Sequence, residues 1–267
     1  MEITTFASGS TGNCALVTAG ETRLLIDAGI SFLKIKTFLG QMDCTPGQID
    51  GVLITHEHND HIKGLQTLLR HTDIPLFAPR TVASRLWGML PDSDGKLNVI
   101  PVQDGFQVKD LRLTAFETPH DTPQSVGYRI EADDSIFCFC TDLGHVTDEV
   151  LDHLLGADAV VIECNHDVTR LKLGPYPLSL KRRILSDHGH LSNEACANLA
   201  VTLAEHGTGQ IILGHISKES NTPRLAAKVV GRALEEAGHG DVFLTPAPAE
   251  GRLTIQVKGG KQCLPSS

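Results

Sequence analysis

Five short apolar runs in this chain each end on polar side chains. GVLIT (51–55) leads into His56, LRLTAFETP (111–119) into His120, and SIFCFCT (135–141) into Asp142. DAVVIE (158–163) leads into Cys164, Asn165 and His166, and QIILG (210–214) into His215. Each run is brief and rich in β-branched or aromatic residues, so each reads as a strand buried on both faces. Helical patterns fall between them, over 61–70, 147–155, 191–206 and 222–238. Earlier, EITTFA (2–7), NCALVT (13–18) and TRLLIDA (22–28) read as strands separated by the turns SGSTG and AGE. Ser31 caps a helix running to about Gly40, with Phe32, Ile35, Phe38 and Leu39 on one face. The alternation predicts a layered α/β protein with polar groups projected from strand ends, a common way to build a site.

The densest polar stretch is ITHEHNDH (54–61), with three histidines and two carboxylates in its last six residues. Burying such groups without partners is costly, and a metal ion resolves the conflict. His56 and His58 are two apart and can face the same side, as two imidazoles on one ion would (about 2.0–2.1 Å for zinc). Asp60 and His61 fall where the chain turns into a helix, which suits a second ion. Neither shell is complete from this segment alone. His120, Asp142 and His215 are the natural suppliers, and Asp142 has two oxygens with which to bridge. A single histidine after a strand is ordinarily a satisfied polar residue. The HxHxDH spacing is what lifts this set above that reading.

THEHNDH resembles the HxHxDH motif of the metallo-β-lactamase fold hydrolases. The order of the remaining residues is similar too: a histidine, an aspartate in TDLG, then a histidine after a late strand. The resemblance implies an α/β fold, a four-layer αββα sandwich with a two-metal site on one edge. It implies His56, His58 and His120 on one ion, Asp60, His61 and His215 on the other, and Asp142 between them. SGSTGN (8–13), LLIDAGIS (24–31), ECNHD (163–167), GPYP (174–177) and DHGHLSN (187–193) together resemble the YycJ/WalJ-type subfamily over roughly residues 1 to 225. That subfamily implies exonuclease action on DNA from the 5′ end. GHLS…ILGHIS also resembles the paired histidine motifs of ribonuclease Z, which implies a catalytic role for His190.

Two divalent ions about 3.5–4 Å apart can hold a bridging water and lower its pKa towards about 7. On a phosphodiester the resulting hydroxide would attack phosphorus, with Asp60 and Asp142 holding the ions. His190 is the candidate proton donor to the leaving oxygen, because histidine titrates near the working pH. Three features favour phosphodiesters over other substrates. VTRLKLGPYPLSLKRR (168–183) has five basic residues, Lys181, Arg182 and Arg183 among them, and no acid. SGSTGN can present backbone N–H groups to an anion, and Asn13 can reach a phosphate oxygen. His166 adds a polar group beyond the seven candidate ligands. Nitrogen and oxygen ligands suit zinc by default, with manganese and iron as alternatives. Other readings of the same fold are a thioester or small-molecule ester hydrolase, a ribonuclease, a di-iron redox protein and a non-catalytic metal-binding protein.

Composition narrows the field. The net charge is −9, which argues against a broad basic face but not a local one. Aromatic residues make up only 4%, so grip on the nucleic-acid backbone is expected rather than a long stacking platform. Seven scattered cysteines form neither a CxxC pair nor a disulfide framework, which predicts free thiols in a reducing cytoplasm. No transmembrane run or signal-peptide pattern is visible, and residues 1–267 read as one domain.

Overall fold

Consecutive residues of the buried strands enter two different hydrophobic layers. Leu24 and Ile26 pack between two sheets while Leu25 faces a layer of helices, and Val161 and Val160 divide in the same way. This is why LLI (24–26) and AVVI (159–162) are apolar without a break, whereas LRLTAFE (111–117), expected to be buried on both faces, has Arg112 and Glu117 exposed. The computed structural model describes residues 1–257 and 259. Cys263 and the end of the predicted 1–267 domain lie outside the described residues.

The first sheet is built from β1 (Glu2–Ala7), β2 (Cys14–Ala19), β3 (Thr22–Ile26), β4 (Gly51–Leu53), β5 (Leu76–Pro79) and β6 (Leu97–Ile100). The second contains β7 (Gly105–Val108), β8 (Leu111–Glu117), β9 (Val126–Ala132), β10 (Ser135–Cys140), β11 (Ala159–Glu163), β12 (Gln210–Gly214) and β13 (Phe243–Pro246). A last strand, β14 (Leu253–Gln256), returns to the first sheet. The strand orders are β14-β1-β2-β3-β4-β5-β6 and β13-β12-β11-β10-β9-β8-β7. In the first sheet β3 through β6 are parallel, and in the second β10 through β13 are parallel. Strand β8 is antiparallel to β9, which is antiparallel to β10. The ends of β8, β10, β11 and β12 therefore reach the same edge.

Helices α1 (Phe32–Gly40), α2 (Asn59–Ile62), α3 (Leu65–His71) and α4 (Arg80–Met89) belong to the first half of the chain. Helices α5 (Asp148–Leu154), α6 (Val168–Leu173), α7 (Leu178–Ile184), α8 (Asn193–Glu205) and α9 (Pro223–Glu236) follow in the second. Ile35, Leu39, Leu68 and Leu86 pack on the outer face of the first sheet, and Val150, Leu199, Leu203 and Val230 on the outer face of the second. Two sheets face to face with helices outside both make the αββα sandwich. Tyr128 ties the sheets together beside the strand ends, its hydroxyl donating to the Ile54 carbonyl at 2.6 Å.

Three local expectations change. The helix expected over 61–70 is two helices, because Gly64 donates to the Ala28 carbonyl at 2.7 Å and a Cβ there would stand 2.1 Å from the Ile30 carbonyl oxygen. Strand β4 stops at Leu53, so His56 and His58 lie in a loop rather than on the strand. The basic run 168–183 folds as α6 and α7 joined by GPYP. Ser31 does cap α1, accepting from the Lys34 amide at 3.4 Å. The six described cysteines are free and buried.

Candidate metal centre

The HEHNDH loop is pinned from behind by Asp27, just beyond the end of β3. One Asp27 oxygen accepts from the Thr55 amide and the other from the Thr55 hydroxyl, both at 2.9 Å. The second oxygen also lies 2.7 Å from His61 Nδ1. His61 therefore donates from Nδ1 to a buried carboxylate and leaves Nε2 for the site, a common arrangement behind metal-binding histidines. His56 Nδ1 lies 3.0 Å from the Thr55 hydroxyl, which turns its Nε2 the same way. The His56 ring centre is 4.6 Å from that of His58, 4.0 Å from that of His61 and 5.1 Å from that of His120.

The second sheet supplies the rest from separate segments. His120 Nδ1 donates to the Gly189 carbonyl at 3.2 Å. Glu163, fully buried at the end of β11, is the hub. Its Oε1 accepts from His190 Nδ1 at 2.8 Å and His215 Nδ1 at 2.7 Å. Its Oε2 accepts from the amides of Leu143 at 2.9 Å and Leu191 at 3.0 Å. Asp142 stands between the halves, 3.2 Å from His61 Nε2, 3.7 Å from His120 Nε2 and 3.4 Å from His215 Nδ1. Asp27, Asp142 and His215 all have left-handed backbones, with φ of 59°, 58° and 50°. Such conformations hold only where the surroundings enforce them.

The donor atoms converge. His56, His58 and His120 can offer nitrogens within 4.8 Å of one another, and so can the donor atoms of Asp60, His61 and His215, and of His56, His61 and Asp142. Among the described residues, His56 Nε2, His120 Nε2, His215 Nε2 and Asp142 Oδ2 are buried without a hydrogen-bond partner. Buried polar atoms normally have partners. Four orphans aimed at one place, with their rings fixed from behind, fit divalent cations.

The electrostatics divide the rings into two kinds. Burial, reinforced by His61, pushes His56 well below the usual histidine range, and burial also lowers His120. Burial acts against charge on His61 too, but Asp142 and Asp27 overcome it and hold that ring well above its usual pKa. His215 is raised to about 10, as Asp142, Asp60 and Glu163 outweigh burial. Glu163 is lowered to about 2 despite its burial, first by His190 and then by His215. Asp142 is also held well below the carboxylate range, chiefly by His215 and His61 acting against burial.

The remaining sequence candidates divide. Asn13 is buried at the site, its Nδ2 3.0 Å from His61 Nε2 and its Oδ1 accepting from the Gly9 amide at 2.8 Å. His166 is buried with both ring nitrogens unpaired among the described residues, beside the His190 loop through a bridge to Ser192. Arg183 reaches the site but is held by Asp121. Lys181 donates to the Lys172 carbonyl at 2.8 Å, and Arg182 is exposed. Sequence reasoning passed over Glu163, Asp27 and Asp121, although ECNHD and LLIDAGIS contain the first two. An acid at the end of a fully apolar strand was the signal available for both. Asp121 lies 3.2 Å from His120 Nε2, with its Oδ1 buried and unpaired among the described residues. Also unforeseen is an amide network behind the site. Asn221 donates to the carbonyls of Cys164 at 3.0 Å and Asn165 at 3.1 Å and to Asn193 Oδ1 at 2.7 Å, and Asn165 donates to the His215 carbonyl at 2.9 Å.

A family model described as a β-lactamase superfamily domain matches residues 22–216. The chain belongs to the metallo-β-lactamase fold hydrolases of the YycJ/WalJ type. It is 37% identical over 243 residues to the exodeoxyribonuclease YycJ of Bacillus anthracis, covering 90% of this chain and 91% of that protein. It is 36% identical over 241 residues to the exodeoxyribonuclease WalJ of Streptococcus pneumoniae, covering 88% of each. Among solved structures, Zn(2+)-bound PqqB from Methylobacterium extorquens matches with a TM-score of 0.75 at 19% identity, over 96% of this chain and 100% of that one. Human tRNase Z, short form, matches with a TM-score of 0.66 at 17% identity, over 97% of this chain and 100% of that one. These two likenesses concern the fold alone. No helix among the described residues is long and apolar enough to cross a membrane.

Proposed function

We propose that this protein is a dinuclear metal-dependent phosphodiesterase that degrades DNA from the 5′ end. The observation that supports it best is the convergence of unpaired His56, His120, His215 and Asp142 atoms, each ring braced from behind by an oxygen acceptor. His56, His58 and His120 would hold one ion and Asp60, His61 and His215 the other, with Asp142 between them. When bound, the ions supply a nucleophile at neutral pH and neutralise charge on the phosphoryl oxygens. The names of the two relatives, both exodeoxyribonucleases, favour DNA as the substrate.

The chain's own residues do the rest. Asp27 and Glu163 fix the tautomers of His61 and His215, so that each presents Nε2. Glu163 also fixes His190 through Nδ1, which leaves His190 Nε2 to give a proton to the departing sugar oxygen. The fully buried Glu163, held charged by four donors, keeps that ring oriented. Asn13 and His166 are buried and act behind the site, with Asn13 Nδ2 at His61 Nε2, while Arg182 stands exposed for a phosphate.

The test is hydrolysis of end-labelled duplex DNA, single-stranded DNA and RNA, beside a thioester and bis-p-nitrophenyl phosphate. The protein is stripped of metal and refilled with manganese, zinc or iron, with His58→Ala as the control. Stepwise release of mononucleotides from the 5′ end, absent in the control, is the expected result. Turnover of the thioester with no cleavage of nucleic acid would overturn the substrate.

A further inference from the structure

The turn at residues 9–12 stands beside the metal centre and is flanked by two lysines that form no salt bridge among the described residues. The Gly12 amide donates to the Gly9 carbonyl at 2.9 Å, which leaves Ser10 and Thr11 exposed at the tip. Among the described residues neither the Ser10 nor the Thr11 amide has an acceptor. The turn is held firmly against the site. Asn13 N–H donates to the Asp60 carbonyl and Gly29 N–H to the Asn13 carbonyl, both at 2.8 Å. A Cβ on Gly12 would stand 2.6 Å from the Gly29 carbonyl oxygen, so the approach requires glycine there.

Two lysines from distant segments converge on the tip. Lys63, two residues after His61, donates to the Thr11 carbonyl at 2.9 Å, and Lys218, three after His215, reaches the Thr11 hydroxyl at 3.4 Å. Neither has a carboxylate partner among the described residues, whereas neighbouring Lys34 is paired with Glu250 at 2.7 Å. Both lysines lie within electrostatic reach of Glu250, whose carboxyl is held below its usual range by Lys34 first and then by Lys218 and Lys63. An ammonium has three donors, and one bond to a neutral oxygen leaves two free. In a chain of net charge −9, two such cations beside amides with no acceptor among the described residues make a local anion cradle. The 168–183 run offers less than its sequence suggests, because Arg183 is already held by Asp121.

We infer that the Ser10–Thr11 turn, with Lys63 and Lys218, is a phosphate-holding lip. It grips a backbone phosphate neighbouring the one cleaved. This inference rests on the nuclease reading above. The lip reads no sequence. It fixes where the strand crosses the ions.

The test measures binding of a fluorescent single-stranded oligonucleotide across a range of salt concentrations, with Lys63→Ala, Lys218→Ala, the double variant, and the charge-retaining Lys63→Arg and Lys218→Arg. Each alanine should weaken binding about tenfold irrespective of sequence and reduce the slope of log affinity against log salt by about one. The arginine variants should restore both. An unchanged slope in the double variant, while wild-type protein binds and cleaves DNA, would overturn the lip and leave the function standing. Wild-type protein that neither binds nor cleaves any nucleic acid would overturn both.

Discussion

The two halves of the candidate centre solve the same problem by different means. The first sheet delivers His56, His58, Asp60 and His61 within one loop, braced by one carboxylate, Asp27, which serves one ring and Thr55. The second sheet delivers Asp142, Glu163, His190 and His215 from four separate segments. It needs a carboxylate serving two rings and two amides, and an amide network behind that. A contiguous loop carries its geometry in its own turn of helix. Dispersed ligands depend on the long-range contacts that align strand ends.

Substitutions can break this comparison, and the largest effect belongs to the residue between the halves. Asp142→Asn should lower hydrolysis by more than about a thousandfold, with thermal unfolding and far-UV circular dichroism showing an intact fold. Glu163→Gln loosens two rings at once, and its kcat should fall about 10²–10⁴-fold, the range of a lost general acid. Asp27→Asn loosens one ring, and metal affinity should fall about 10–100-fold by competition with a chromogenic chelator. Equal losses from these two variants would show that the halves are not braced differently. Asn221→Ala touches no candidate ligand, and removing its buried donors should lower Tm by about 3–10 °C with a smaller change in kcat.

The halves can also be compared by pH. His215 has a pKa of about 10 against the ordinary 6.5, so its charged ring stabilises the ion-free fold below pH 6.5 and loses that contribution as pH rises towards 10. Ions require the neutral ring, so their binding there expels a proton and strengthens as pH rises. His56 and His120 are already neutral at pH 7, and ions reach them without that exchange. Calorimetry in buffers of different ionisation enthalpy should record proton release for only one of two binding steps.

What the sequence made legible follows the same division. HEHNDH is a short-range pattern, and its spacing points to metal before any fold is known. His120, Asp142 and His215 were visible as residues after apolar strands, once a partner motif gave them a purpose. Glu163 and Asp27 were not singled out, since a buried acid after a strand becomes meaningful only when the ring it holds is known. Asn193 and Asn221 fall at a helix start and in a loop; the bonds that Asn221 Nδ2 donates span 28 to 57 residues. Lys63 and Lys218 look like ordinary surface lysines until the turn at Thr11 brings them together.

The left-handed backbones at Asp27, Asp142 and His215 bear on how such a protein could be engineered. Each conformation costs on the order of 1–3 kcal/mol for a residue with a side chain. A search for stabilising substitutions guided by backbone geometry alone would favour glycine at all three positions. Each replacement would relax the chain and remove a side chain of the candidate centre. Gains in heat resistance should therefore be sought in α4 or α9, away from the centre, where a tougher protein need not be a silent one.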